Sequence, residues 1–360
     1  MASLLGFNWG ILGTSEFWLR FAYIIVAILV LMVMITVHEF GHYISGKILK
    51  FKINEFSIGF GKAIYKHTNK KTGEVFAVRM IPLGGYCAFE GEDKDASSPD
   101  SFNAQKPWKR LIVLFCGAFF NFIFSVLFSI ILLCVMGDGT PRITKVLEDC
   151  PNDLKVGDIV LKVDGERPGY LNGGISTLLG KYKAGDNIEL TIKRDGEKIK
   201  VTVTKYETEV DGQKAALIGI GSSETIKYSF GGALLRCVPF SFEIAWQCLV
   251  MLGSLLIGKT SISTLGGPIT TVTAIAKTSS ISALYLLLWV PLIGINLAVF
   301  NLLPIPALDG ARMLFVLIEW IRKKPIDKKI EEKIHTIGLI VLFGFVIIVD
   351  ILQLFVFKLF

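Results

Sequence analysis

The chain has 360 residues and a mass of 39.8 kDa; 52% of its residues are hydrophobic, only 19% are charged, and mean hydropathy is +0.57. Soluble domains carry about 25% charge, and several apolar runs here reach the roughly 18–20 residues that cross a bilayer. A soluble enzyme and a disordered chain are therefore excluded, and the expected class is a polytopic α-helical membrane protein. The net charge of +7 fits Lys and Arg gathered at a cytoplasmic membrane face rather than a nucleic-acid partner.

The first Lys or Arg is Arg20, so no basic region of a cleavable signal peptide precedes the first apolar run. Residues 21–49 are predicted to be a permanent span. That span ends in Val37-His38-Glu39-Phe40-Gly41-His42, an HExxH pattern. On a helix His38 and His42 stand one turn apart on the same face and can share a metal ion, with Glu39 beside them to take a proton from an attacking water. The bland alternative is that the three groups snorkel to the interface or pair with Lys47. Ionisable side chains at the bilayer centre cost on the order of 2.5–3.5 kcal/mol each, which argues for a compensating partner such as a metal.

Residues 51–60 and 75–83 read as β segments around a polar turn at 68–73, with Pro82-Leu-Gly-Gly-Tyr86 closing the second. They are membrane-side scaffolding or an edge offered to a substrate. A second span is expected over residues 111–136. Residues 137–225 have the grammar of a small αβ domain. Residues 142–147 and 159–163 alternate as strands; residues 187–194 and 198–204 alternate around Asp195-Gly196, a hairpin signal. Residues 172–182 suit a short helix. The run Asp153-Leu-Lys-Val-Gly-Asp-Ile-Val-Leu-Lys-Val-Asp-Gly165 resembles the PDZ pattern, which implies binding of an extended peptide by strand addition.

Residues 230–257 are apolar but contain Arg236, Pro239 and Glu243, and suit an interfacial helix better than a span. The third and fourth spans are expected at residues 284–303 and 337–357, giving four transmembrane helices in all. Twelve basic residues between the first two spans and seven between the last two place both loops in the cytoplasm, and hence both termini and the 137–225 insert outside. The chain then divides into 1–136 (membrane core), 137–225 (PDZ-like) and 226–360 (membrane core). The six Cys form no close CxxC pair, which excludes a Cys-based zinc site.

A hydrolytic zinc site needs a third protein ligand and an open position. His67 sits in a Lys-rich turn, and His335 follows Glu331-Glu332-Lys333, so both are poor candidates. Asp309 is better: it follows the third span in Asn301-Leu-Leu-Pro-Ile-Pro-Ala-Leu-Asp-Gly310, where two prolines break the helix, and an acid at such a break marks function. Its alternative role is as an N-cap for a helix over residues 311–321.

Together these motifs make the chain resemble the site-2 protease family of intramembrane zinc metalloproteases, in its bacterial PDZ-containing branch, over essentially its whole length. The resemblance implies His38, His42 and Asp309 as ligands to Zn2+ and Glu39 as general base. Gly117-Ala-Phe-Phe-Asn121 resembles the family's GxxxN element. The Asn of that element lies near the active site, Asn296 and Asn301 match positions that hold substrate backbone, and all three asparagines are expected to bind substrate; Gly267-Pro268-Ile269 matches a segment preceding the third span. The implied substrates are single-span membrane proteins such as anti-sigma factors, or remnant signal peptides, in the bacterial cytoplasmic membrane; membrane lipid is the other partner and nucleic acid is not one. The chain has room for a single PDZ domain, unlike members with a tandem pair. A non-catalytic PDZ adaptor with a structural metal is the competing class. A transporter would require internal repeats, and none is evident.

Overall fold

The computed structural model describes residues 15–92, 98–170, 174–210, 213–258 and 266–353. Residues 172–173 of the expected short helix, and 354–357 of the expected fourth span, lie outside these. By their contacts the residues fall into two units, one of residues 1–128 and 243–360, the other of 129–242.

The first unit begins with α1 (Ser15–Ile48), 34 residues of mostly apolar sequence without proline, about 51 Å of helix. β1 (Ile53–Thr68) and β2 (Val75–Phe89) then form an antiparallel hairpin. The hairpin curls. Glu55–Ile58 pair with Gly85–Ala88 on one side and with Val75–Val78 on the other, while Tyr65–Thr68 pair with the far side of Val75–Val78. The bend falls at Gly59 and Gly61, at φ of 85° and 82°, a conformation that costs glycine little. Residues 82–86 therefore do not close the second strand, as the sequence suggests, but lie inside β2. Gly84, at φ 119°, lets the strand turn and pair again, leaving residues 85–89 as one edge of the layer.

α2 (Pro107–Val135) opens with proline at its first helical position, where the missing N–H costs nothing. Within the first unit, α1, α5 (Pro268–Ile281) and α6 (Leu286–Leu302) share a core containing Ala27, Met34, Ile275 and Ile293. α5 starts just after Gly267 and was not expected from the sequence. Its free backbone N–H groups at Ile269 and Thr270 donate to the buried carboxylate of Asp350, at 3.2 and 3.1 Å. A negative charge there complements the helix N-terminus. Asp350 belongs to α8 (Lys328–Ile351), which starts nine residues before the span read from hydropathy because Asp327 caps it, accepting from Lys329 N–H. Between α6 and α8 runs α7 (Asp309–Arg322).

The second unit takes the end of α2 and the start of α4 (Phe230–Leu256). Between them lies an antiparallel five-stranded sheet in the order β6-β5-β4-β3-β9, made of β3 (Pro141–Val146), β4 (Ile159–Val163), β5 (Asn187–Arg194), β6 (Glu197–Thr204) and β9 (Ile220–Thr225). The first four fall where alternation predicts them. Ile188, Leu190 and Ile192 of β5 are wholly buried, the period-two face of a half-buried strand. Asp195 and Gly196 both take positive φ, as a tight hairpin turn demands. α3 (Gly174–Gly180) adds Leu178 to this core, and a separate hairpin of β7 (Tyr206–Val210) and β8 (Gln213–Leu217) was not foreseen. Asp138 is buried where α2 meets β3, and accepts from Arg167 at 2.6 Å, Arg236 Nε at 2.9 Å and the Tyr228 hydroxyl at 3.0 Å. Burial pushes its carboxyl up, but the Thr140 hydrogen bond and the two guanidiniums outweigh this and hold it below the ordinary carboxylate value.

Five helical stretches among the described residues are long and apolar enough to cross a membrane: Phe21–Ile48, α2, α4, Ala283–Leu302 and α8. Four of them overlap the expected spans, α8 beginning nine residues before the fourth; the fifth is α4.

Candidate metal centre

The i, i+4 spacing of α1 does what local geometry requires. Nε2 of His38 and Nε2 of His42 lie 3.2 Å apart, both side chains nearly buried. The third group comes from the far side of the α6 break. α6 ends at Leu302; Pro304 and Pro306 forbid helix, and the chain makes a tight turn in which Leu308 N–H donates to Ile305 O at 3.1 Å. α7 then starts at Asp309 itself, capped by Leu308 without a side-chain hydrogen bond. Asp309 is thus not an N-cap, and its carboxylate is free for another role: Oδ2 lies 2.9 Å from His38 Nε2 and 3.2 Å from His42 Nε2.

Whether these residues suit a zinc ion is decided by their geometry. Ligand atoms about 2.05 Å from a tetrahedral zinc stand about 3.3 Å from one another; the three edges here are 2.9, 3.2 and 3.2 Å. Asp309 Oδ2 is buried and makes no aligned hydrogen bond, which leaves it available as a ligand. His42 Nδ1–H donates to Val113 O at 2.8 Å, which leaves the Nε2 lone pair facing inward, the tautomer a ligand needs. Among the described residues the cluster holds these three ligands, which leaves the fourth tetrahedral position open, as hydrolytic zinc requires and structural zinc does not.

The edge strand of β2 supplies a partner for Glu39. Cys87 N–H donates to Glu39 Oε2 at 3.0 Å, fixing the carboxylate. Lys47 pairs with Glu74 rather than with the His38-Glu39-His42 group, so the pairing with Lys47 offered as an alternative is not formed. Glu39 and Asp309 line two cavities. One, of about 250 Å³, also contains His38, Asn121, Leu297 and Asn301. The other, of about 310 Å³, is bounded by His42, Tyr86, Cys87, Val113 and Arg312. Asn121 is wholly buried and neither atom of its amide has a protein partner. Of the three asparagines, Asn121 and Asn301 reach the cavity, whereas Asn296 is not among its lining residues.

Sequence reading missed Cys87 and the steric role of Gly117. A Cβ on Gly117 would come within 2.4 Å of His42 Nε2 and 2.8 Å of His38 Cε1, and one on Gly41 within 2.3 Å of Cys116 O. The two glycines let α1 and α2 meet closely enough for the imidazoles to sit against α2 backbone. Gly117→Ala is therefore expected to push both rings off the ligand positions and lower zinc affinity by at least about tenfold, an effect as large as losing an outer-shell partner. Zinc titration against a competing chelator checks it, and unchanged affinity would contradict the packing argument.

Two histidines on one helical turn, a carboxylate from the first residue of a helix distant in sequence, an adjacent glutamate and an open coordination position, set among apolar helices, define a membrane metalloprotease. Comparison with known proteins agrees: peptidase family M50 matches residues 26–345. Relatives bearing the name "putative zinc metalloprotease" include proteins of Helicobacter pylori (31% identical, 92% of this chain, 97% of the relative), Clostridium perfringens (30%, 91% and 97%) and Fusobacterium nucleatum (29%, 91% and 97%). The chain belongs to peptidase family M50, the site-2 protease family, and its cofactor is zinc.

Proposed function

We propose that this protein hydrolyses peptide bonds within the transmembrane segments of single-span membrane proteins, acting in regulated intramembrane proteolysis on anti-sigma factors or on remnant signal peptides. The observation that carries this is the convergence of His38 and His42, borne with Glu39 on a helix apolar enough to cross a bilayer, with Asp309 at the start of α7. Those three residues would hold zinc, and the chemistry it would supply when bound is Lewis-acid polarisation of the scissile carbonyl and acidification of the attacking water. Glu39, oriented by Cys87 N–H, takes the proton from that water and returns it to the leaving amine. A transmembrane helix has its backbone paired internally, so it must unwind to be cut. The unpartnered amide of Asn121, and Asn301 lining the same cavity, would replace hydrogen bonds lost on unwinding.

The same reading sets the topology. His38 and Asp309 approach to 2.9 Å, so the His38 level of α1 and the chain just beyond α6 share one depth, which supports an even number of crossings between α2 and α6. Had α4 crossed, α5 would have to return, and its 14 residues span only about 21 Å against a hydrocarbon core of roughly 30 Å. This supports a reading with four spans and a non-spanning α4, and the basic residues of the two loops support placing those loops in the cytoplasm and both termini outside. The sheet of residues 141–225 is read as a single PDZ domain on the outer side, consistent with its antiparallel strands, its short α3 and its Asp153–Gly165 run.

The test is cleavage of a synthetic transmembrane peptide by the full chain in bilayer nanodiscs, with and without a hydroxamate chelator. Products ending inside the apolar segment, abolished by chelation, are expected. Zinc binding without hydrolysis of any membrane peptide would return the protein to the adaptor class.

A further inference from the structure

His335, a poor metal ligand by sequence, is not one of the three converging residues, yet it touches the chain that carries one of them. Its Nδ1 accepts a hydrogen bond from Ala307 N–H at 3.0 Å, so the ring proton resides on Nε2. Ala307 stands two residues before Asp309 at φ 80°, the left-handed region that a side chain adopts only when its surroundings impose it. The ring of His335 also packs edge-on to Phe315 of α7 at 5.5 Å. One turn further along α8, Gly338 lies against the same turn: a Cβ there would come within 2.1 Å of Pro306 Cβ and 3.0 Å of its carbonyl carbon. Gly310 allows the start of α7 to sit on the carbonyls of Leu302 and Leu303. The turn at residues 304–308 is thus clasped between the end of α6 and the face of α8 that bears His335 and Gly338.

The carboxylate of Asp309 does not cap α7, so its direction follows from the backbone of this turn. We propose that His335 is a positioning residue for the metal centre: by holding Ala307 N–H it keeps the turn in its strained conformation and so aims Asp309 at His38 and His42. The inference rests on the reading of Asp309 as a zinc ligand. It gives α8, which contributes no ligand, a direct hold on the geometry of the site.

The test uses the full chain, stripped of metal, in nanodiscs. Zinc affinity is measured by chelator competition, the ligand field by the visible spectrum of the cobalt-substituted protein, and the mobility of residues 305–309 by amide hydrogen exchange before metal is added. His335→Asn, whose amide oxygen occupies the place of Nδ1, is expected to stay within about threefold of the parent in zinc affinity. His335→Leu, and His335→Gln whose amide falls where Nε2 lies, are expected to lose about 10- to 100-fold, shift the cobalt bands and exchange faster in the turn. Adding Ala307→Gly to His335→Leu should recover part of the loss, because glycine takes positive φ without the Cβ penalty. Parental affinity and spectrum in His335→Leu, or equal impairment of the Asn and Gln variants, would overturn the proposal. If His335→Leu yields no folded protein, the Asn and Gln pair decides. Asp309→Ala keeps the two readings apart: if it binds zinc like the parent, the ligand assignment fails; if it loses zinc while His335→Leu does not, only the positioning role fails.

Discussion

Exchanging Glu39 for Gln is expected to reduce hydrolysis of a transmembrane peptide by about 10²- to 10⁴-fold, the usual contribution of a positioned general base, while zinc content and fold stay as in the parent. The amide is nearly isosteric with the carboxylate, and its oxygen can still accept from Cys87 N–H, which meets Glu39 Oε2 at 3.0 Å. The side chain therefore stays in place between the two cavities it lines and loses only the ability to take a proton. Glu39 is not one of the three converging ligands, so the metal is not released. The measurement is initial rate per zinc-loaded protein, with zinc counted by mass spectrometry on the same sample. Turnover within a few-fold of the parent would remove Glu39 from the mechanism.

Exchanging Asp309 for Ala is expected to have the opposite signature, with activity and metal lost together. Deleting an outer-shell partner typically costs about 10- to 100-fold in metal affinity, and a direct ligand costs more, so zinc should no longer copurify with the variant. The two imidazoles that remain, 3.2 Å apart on one helix, form only one edge of the tetrahedron. They also lose the negative charge that lies 2.9 and 3.2 Å from their nitrogens. Asp309→Asn separates these causes, since it keeps the size and one oxygen but removes the charge. Both variants should resist rescue by added zinc at concentrations that saturate the parent. Full zinc occupancy in Asp309→Ala would show that the third ligand lies elsewhere.

Much of the site was legible before any coordinates. His38, Glu39 and His42 are read from helical spacing alone, because i, i+4 neighbours share a face whatever else the chain does. Asp309 stood out because prolines break a helix at membrane depth, where an acid has few structural uses. The strands of residues 141–204 followed from period-two alternation and from the Asp195-Gly196 turn. Three of the readings that the structure corrects share one reason. The end placed at residues 82–86, the missing α5 and the N-cap role offered to Asp309 all depended on what a segment packs against. Gly84 and Gly85 look like a terminator in isolation, and only the pairing of Gly85 with Ile58 shows the strand continuing.

The sequence by itself determined the class of molecule, its apolar helices and the residue types of a hydrolytic zinc centre, because hydropathy, helical period and side-chain chemistry are local properties. Tertiary structure alone decided that Asp309 meets the histidines, that Cys87 N–H holds Glu39, that Gly117 admits the imidazoles against α2, and that α8 clasps the ligand-bearing turn through His335. Each of those contacts joins segments far apart in the chain, and its distance is set by how helices and a curled sheet pack, which no local pattern encodes.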